Sequence, residues 1–209
     1  MFSRTVIVSA SNASHHAKLL DDLAKVRYRL FVETLQWTLP LAKHGRDLDQ
    51  FDDERATYVV VVDLQGNIRA AVRLHDTTGP TLLTTVYKHL VAGEVPQSSW
   101  IWEGTRMLVH PDLPPADSAI AFGELLSACV SYGLSKGIEC WVSVSDPTLE
   151  RALRRAGAAT RRLGPVIEVE AGVKALALTL DCDVATLQRI ETGLQRLRAS
   201  RAGNHQLVA

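Results

Sequence analysis

Two valine-rich runs, Tyr58–Leu64 and Ile68–Leu74, stand only three residues apart, joined by Gln65-Gly66-Asn67. Apolar runs of strand length around a short glycine-containing turn predict a β-hairpin. Before it come a short strand pattern at Thr5–Ser9 and a helical periodicity from about Ser14 to Leu35. After it the patterns alternate. A short helix is expected at Leu82–Leu90, a strand at Trp100–Val109, and a helix capped by Asp117/Ser118 that runs to about Lys136, with Gly137 as its stop. A strand at Glu139–Val144 follows, then a Pro147-initiated helix to about Ala156, strands near Ala159–Leu163 and Lys174–Leu180, and a helix capped by Asp183 to about Ala199. A hairpin followed by alternating strand and helix needs a mixed sheet covered on both faces. The expected fold is therefore α/β, a three-layer α/β/α sandwich. One domain over residues 1–209 is expected, with its core at about 14–182, a C-terminal helix at about 183–199, and a loose tail over the last ten residues.

Composition narrows the function classes. Apolar residues make up 46% and charged residues 22%, the balance of a folded globular chain. Lysine plus arginine equals aspartate plus glutamate at 23 each, so overall charge favours neither a nucleic-acid nor a membrane-surface partner. Met1–Ala13 lacks a signal-peptide pattern, and no run approaches the ~18 apolar residues of a membrane span. A cytoplasmic location is expected. Cys129, Cys140 and Cys182 lie far apart, without a C-x-x-C pair, and read as buried apolar side chains. His44, His75, His89 and His110 have no metal-ligand spacing, and no glycine-rich nucleotide motif or Walker loop occurs. Neither a metal nor a cofactor is expected.

Three groups of polar or aromatic residues occur where a plain core would not need them. Arg27 and Phe31 are four apart on one predicted helix face, and Trp37 follows the helix end. Asp47, Asp49 and Asp52 sit in the irregular stretch Trp37–Asp53, long for a loop in a compact domain. Glu103 and Arg106 interrupt an apolar strand, with Arg73 at the end of the hairpin strand before it. Each group has an ordinary reading too: a solvated arginine, or turn-forming aspartates. Glu103 lies among Trp100, Ile101, Trp102, Met107, Leu108 and Val109. Either it occupies an exposed edge or it is paired in a site, because an unpaired buried carboxylate is costly. A spacing of three puts Glu103 and Arg106 on opposite faces of a regular strand. Gly104 between them permits a bulge that turns both toward one cleft, so a bulge or splay is expected there.

Taken in order, these residues form four motifs. They are Arg27-x-x-x-Phe31-x-x-x-x-x-Trp37, then Asp47-x-Asp49-x-Phe51-Asp52, then Val72-Arg73-Leu74-x-x-Thr77-Thr78-Gly79-Pro80, then Trp102-Glu103-x-x-Arg106. Order and spacing resemble the acyl-homoserine-lactone synthases of LuxI type, over about Leu20 to Leu180. The resemblance implies a fold related to the N-acetyltransferases and an enzyme that makes a quorum-sensing signal. Such an enzyme acylates the amine of S-adenosylmethionine from an acyl thioester, closes a lactone and releases methylthioadenosine. It also implies that Arg27, Asp49, Arg73, Glu103 and Arg106 form the charged catalytic cluster. Phe31, Trp37, Asp47, Asp52 and Thr105 would serve S-adenosylmethionine, a substrate rather than a cofactor. The strand Glu139–Val144 would line the acyl tunnel, with either Val142 or Ser143 meeting the chain. The family often carries Glu at the place of Asp47, and Ser-Arg-Phe at the place of Thr105-Arg106-Met107.

The chemistry suits the residue types. A free α-amine has a pKa of about 8, so near neutrality a carboxylate must accept its proton, and Glu103 is the candidate base. Guanidinium forks match a carboxylate, which makes Arg27 and Arg106 candidates to aim the substrate's own carboxylate for ring closure. The ring of Trp37 or Phe31 can attract a sulfonium, and Asp49 or Asp52 can balance cationic charge. Arg151, Arg154 and Arg155 share one face of a predicted helix, and Arg161/Arg162 follow shortly. This cluster is either a docking face for an acidic acyl carrier protein or a solvated helix face, and acyl-coenzyme A is the other donor. Two rivals are weighed. An acetyl-coenzyme A-dependent N-acetyltransferase normally needs a glycine-rich pyrophosphate loop, and Val109–Pro115 has no glycine. A non-catalytic ligand-binding domain of the same fold has no use for a base.

Overall fold

The computed structural model describes residues 3–206. Along the chain the elements are β1 (Ser3–Val8), a 3-10 turn (Ala13–His16), α1 (Ala17–Arg27), a π-helical turn (Tyr28–Thr34), β2 (Thr57–Asp63) and β3 (Ile68–Asp76). Then come α2 (Leu82–Thr85), a 3-10 turn (Lys88–Leu90), β4 (Ile101–Val109), α3 (Pro115–Ser135), β5 (Cys140–Ser145) and α4 (Pro147–Arg155). The chain ends with β6 (Thr160–Arg162), β7 (Ile167–Glu170), β8 (Val173–Asp181) and α5 (Val184–Gln206). The described residues divide into two compact units, those up to 74 with 106–125, and 75–105 with those from 126 on. Strand β4 is thus shared along its length.

In the first unit, β1, β2 and β3 form an antiparallel meander, with Val6 opposite Val60 and Val60 opposite Ala71. Every residue of β2 is buried, which explains its unbroken valine run: both faces are covered. Tyr58, Val60 and Val62 meet Leu23 of α1 and Phe31 of the π turn. Asp63 closes the hairpin by accepting the amides of Gln65 and Asn67. On the far face Arg69 lies 3.9 Å from both Asp117 and Glu124 on the first half of α3. Helix α3 begins at Pro115, so Asp117 is not its cap but a buried first-turn acid held by that pairing. By length and apolarity alone α3 matches a membrane span, contrary to the sequence expectation. Half of its apolar window is buried inside the protein.

The helix expected over Ser14–Leu35 is instead a 3-10 turn, an α-helix and a π turn in succession. Its end is wide: Leu35 donates to the Leu30 carbonyl at 2.8 Å and Trp37 to that of Phe31 at 2.8 Å. Such π turns have no signature in apolar periodicity and recur at functional sites.

In the second unit, β4 pairs in parallel with β5 at Ile101–Glu103, and β5, β8 and β6 continue antiparallel. One face carries Val142, Ala175 and Ala177 under Leu83 and Leu90. On the other, Gly133 of α3 comes so close to Trp141 and Cys182 that a methyl group there would lie 2.5 Å from the Cys182 sulfur. Strand β7, short and absent from the sequence reading, is hairpinned onto β8 through Gly172 at φ 78°. Helix α5 continues past Ala199 to Gln206, so residues 200–206 are helix rather than loose tail. The segment Arg198-Ala199-Ser200-Arg201-Ala202 holds good helix formers and no proline to stop it. Residues 207–209 lie outside the described residues. Each unit has helices on both faces of its strands, and the sheet is mixed, as the alternation of patterns predicts.

Candidate active site

The loop between α1 and β2 is tied down from both ends. Asp47 donates its amide to the Ala24 carbonyl at 3.0 Å, and Phe51 donates its own to Asp49 at 2.9 Å. This fixes three carboxylates opposite three arginines. Arg27, the last residue of α1, donates to Asp47 at 3.0 Å and to both oxygens of Asp52 at 2.6 and 3.0 Å. Arg73 donates to Asp49 at 2.6 Å and lies 2.9 Å from Asp52. Arg106 donates to Asp47 at 2.8 Å and lies 3.0 Å from Asp49. The six groups close into a ring of alternating sign, Arg27–Asp52–Arg73–Asp49–Arg106–Asp47. Its formal charge is zero.

Burial separates the members. Arg27, Arg73, Asp47 and Asp52 have side chains 1–5% exposed, whereas Arg106 is 10% and Asp49 11% exposed. The accessible edge of the ring is therefore one guanidinium beside one carboxylate. Arg106 also lies over the Phe31 ring at 5.7 Å, and Phe31 stacks on Trp37 at 4.8 Å with 18° between planes. Phe31 is buried and Trp37 is 42% exposed, so the outer face of this column is open.

Arg106 has φ 53°, a left-handed backbone inside a strand. For a residue with a Cβ this costs about 1–2 kcal/mol and is concentrated at functional positions. The irregularity expected near Gly104 is real, but Arg106 rather than the glycine takes the left-handed conformation. Pairing of β4 with β5 runs only as far as Glu103–Val142.

Tyr58, which the sequence reading passed over, donates its hydroxyl to Asp52 at 2.7 Å. Burial by itself raises the Asp52 carboxyl. The hydrogen bonds and charge of Arg27, the charge of Arg73 and the Tyr58 hydroxyl outweigh it and hold the group well below the usual carboxylate range. Burial and the neighbouring Asp52 charge push the Tyr58 phenol up. A depressed folded-state value means that Asp52 contributes stability above its unfolded pKa of about 3.9, lost as pH falls toward the folded value. Tyr58→Phe is expected to lower stability by roughly 1.5–3 kcal/mol near neutrality, since the lost bond is to a charged group. It also raises the folded pKa toward the unfolded one, so the acid loss, which starts at the unfolded value in both proteins, is smaller and levels off at higher pH. Urea unfolding between pH 2 and 7 measures both, and an acid limb of unchanged size would remove Tyr58 from the ring's support.

In the second unit, Glu103 is 1% exposed and both its oxygens accept the Leu83 amide, at 3.0 and 3.1 Å. Thr105 is buried farther along β4. Val142 lies on the Leu83 side of β5, opposite Glu103 in register. Ser143 points to the other face and donates its hydroxyl to the Gly104 carbonyl at 2.9 Å.

The basic cluster is not uniformly free. A buried acid on α4, Glu150, accepts from Arg154 at 3.0 Å and from Arg162 at 2.9 and 2.7 Å, and these arginines hold its carboxyl below its ordinary value. Arg161 donates to Asp181 at 2.9 Å, and Arg151 to the Thr148 hydroxyl at 3.1 Å. Of the five arginines, Arg154, Arg161 and Arg162 thus have carboxylate partners within the chain. Glu150 was visible as an acid within the run but gave no sign of burial.

A family model for autoinducer synthases matches residues 10–190. The chain belongs to the autoinducer synthase family. Among autoinducer synthases, the acyl-homoserine-lactone synthase of Acinetobacter nosocomialis is 33% identical over 170 residues, 78% of this chain and 92% of that relative. The solved structure of TofI, a ternary complex with an inhibitor and MTA, has a TM-score of 0.78 at 31% identity, covering 90% of this chain and 96% of TofI. MesI, a CoA-dependent acyl-homoserine lactone synthase, has a TM-score of 0.81 at 26% identity, covering 92% of this chain and 95% of MesI. The ring residues thus lie inside the stretch that defines an autoinducer synthase, as do Glu103 and Val142.

Proposed function

We propose that the chain is an acyl-homoserine-lactone synthase that uses S-adenosylmethionine and an acyl thioester and releases methylthioadenosine. The observation that carries this reading is the neutral ring whose accessible edge is Arg106 beside Asp49. An amino acid is a zwitterion, and an adjoining guanidinium and carboxylate complement it: Asp49 takes the ammonium end, Arg106 the carboxylate. The open face of Trp37 suits the sulfonium. Arg27, Arg73, Asp47 and Asp52 serve by holding that pair in place, because their own polar atoms are spent on one another.

Catalysis then has two steps. Glu103 accepts a proton from the ammonium, and the freed nitrogen forms a bond to the thioester carbon while the carbon–sulfur bond breaks and the thiol leaves with a proton. The substrate carboxylate next attacks the carbon bearing the sulfonium. A carbon–oxygen bond forms, the carbon–sulfur bond breaks, and neutral methylthioadenosine departs. Arg106 aims that carboxylate. Val142, on the same side of the strands as Glu103, is assigned to the acyl chain, and Thr105 to the substrate side of β4. The reaction proceeds in the cytoplasm without a metal or a bound cofactor. The test is direct: purified protein incubated with S-adenosylmethionine and a series of acyl thioesters, with products read by mass spectrometry. One acyl-homoserine lactone and one methylthioadenosine per turnover are expected. An acylated S-adenosylmethionine that never cyclises, or no acyl transfer at all, would overturn the reading.

A further inference from the structure

One buried histidine takes no part in the two steps above. Thr77, just past β3, donates its amide to the Ile101 carbonyl at 3.1 Å, and His110 donates to that of Arg69 at 2.8 Å. The neighbouring strands β3 and β4 therefore run antiparallel. An amide-to-carbonyl bond between such strands marks residues directly opposite each other. Two residues along from the Thr77–Ile101 pair, the same register sets His75 opposite Glu103. Opposite residues share a face with their Cβ atoms roughly 5 Å apart, a separation that an imidazole and a carboxylate bridge. His75 is 2% exposed and Glu103 1%. Around Val142, opposite Glu103 on β5, that face is covered by Leu83 and Leu90. The other charged or titratable groups nearby are committed elsewhere. Arg73, two residues back on β3, pairs with Asp49 and Asp52. Asp76 alternates to the opposite face and accepts the Thr78 amide. Lys88 and His89, in the turn after α2, are exposed. On β5 and β8, burial pushes the Cys140 thiol up, so it stays uncharged near neutrality, and Asp181 pairs with Arg161.

We propose that His75 is the positioning residue of the base: its imidazole N–H, donated to Glu103, keeps that carboxylate ionised and turns it toward the substrate amine. The proposal rests on the acyl-transfer reading above. A carboxylate enclosed among apolar side chains is driven to hold a proton unless a donor or an opposite charge favours its ionised form. Holding one, it could not take another from the ammonium. The Leu83 amide is a single donor shared between both oxygens of Glu103, and a carboxylate accepts about four. An imidazole from the adjoining strand fits the remaining capacity from the side opposite α2's amide. His75 gives up no proton in the reaction; it acts through Glu103.

The test compares two variants of the full chain: His75→Leu, which is apolar, and His75→Gln, which keeps an N–H donor but no titratable ring. His75→Leu is expected to lower kcat roughly 10-fold or more, with KM for S-adenosylmethionine little changed. It also moves the acid limb of the rate profile to higher pH, because the carboxylate has lost a group that favours its charged form. His75→Gln recovers most of the rate. On a Glu103→Gln background His75→Leu adds little further loss, since no base remains to be positioned. NMR reads the pair without turnover. The imidazole resonance that His75→Leu lacks should titrate at lower pH in Glu103→Gln than in the unaltered protein, because the neighbouring anion is gone. An unchanged kcat and acid limb in His75→Leu overturn the proposal. So does a loss that multiplies in full with that of Glu103→Gln, or one that His75→Gln does not lessen. If the linked titration is present but the unaltered protein forms no lactone from any thioester, the acyl-transfer reading falls, and the role in the base with it, while the pairing stands.

Discussion

Replacing Glu103 by glutamine is expected to lower the rate of lactone formation by roughly 10²-fold or more, while S-adenosylmethionine binding is largely retained. Glutamine preserves the shape of the side chain and keeps an oxygen to accept the Leu83 amide, so the fold around α2 should hold. What disappears is the proton acceptor. The pH profile discriminates this from simple misplacement. The substrate amine loses its proton by itself above a pKa of about 8, so the variant's rate should climb as pH rises through that value. The unaltered enzyme, which has its own acceptor, should depend on pH much less there. Calorimetric binding together with the initial rate of methylthioadenosine release would settle the matter. Turnover equal to that of the unaltered enzyme would mean that another group takes the proton.

Arg27→Ala is expected to act chiefly on stability. Arg27 is 2% exposed and supplies donors to both Asp47 and Asp52, so its removal leaves two buried carboxylates short of a partner. Breaking a buried pair in this way costs about 3–5 kcal/mol. For a chain of this size that corresponds to a fall in melting temperature of roughly 6–20 °C. Arg27→Lys restores the charge but only a point donor where a fork spans Asp47 and Asp52, so rescue should be partial. Arg106→Ala offers the contrast: its guanidinium lies at the accessible edge, and the same substitution should weaken S-adenosylmethionine binding more than it lowers the melting temperature. Thermal unfolding of the three variants side by side decides the point. An Arg27→Ala protein that melts with the unaltered one would show that the ring carries no structural weight.

Much of the architecture was legible because it is written in local pattern. The valine hairpin, the Pro147 start, the Asp183 cap and the Gly137 stop each act over a few residues, and the element ends they mark lie within a residue or two of where the sequence puts them. The departures have local causes of another kind. The π turn at Tyr28–Thr34 keeps helical composition while changing its hydrogen-bond step. Strand β7 is only four residues long, too short to establish an alternation. Helix α5 ran on because nothing in its sequence stops it.

The residues of the candidate site were legible as types in a fixed order, since Arg27, Asp47, Asp49, Asp52, Arg73, Glu103 and Arg106 are out of place in a plain core. Their partnerships were not. Arg73 meets Asp49 across 24 residues and Arg106 meets Asp47 across 59, distances over which spacing along the chain carries no geometric information. Tyr58 looked like one more strand residue until Asp52 was seen beside its hydroxyl. Sequence alone determined the class of fold and the set of charges, because apolar period and turn chemistry are short-range. Only the tertiary structure decided which charges cancel, as in the closed ring and at Glu150, and which members of a paired set stay nearest the solvent, as at the Arg106–Asp49 edge. Coulomb pairing depends on where loops close in space, and burial then decides how much each pair is worth.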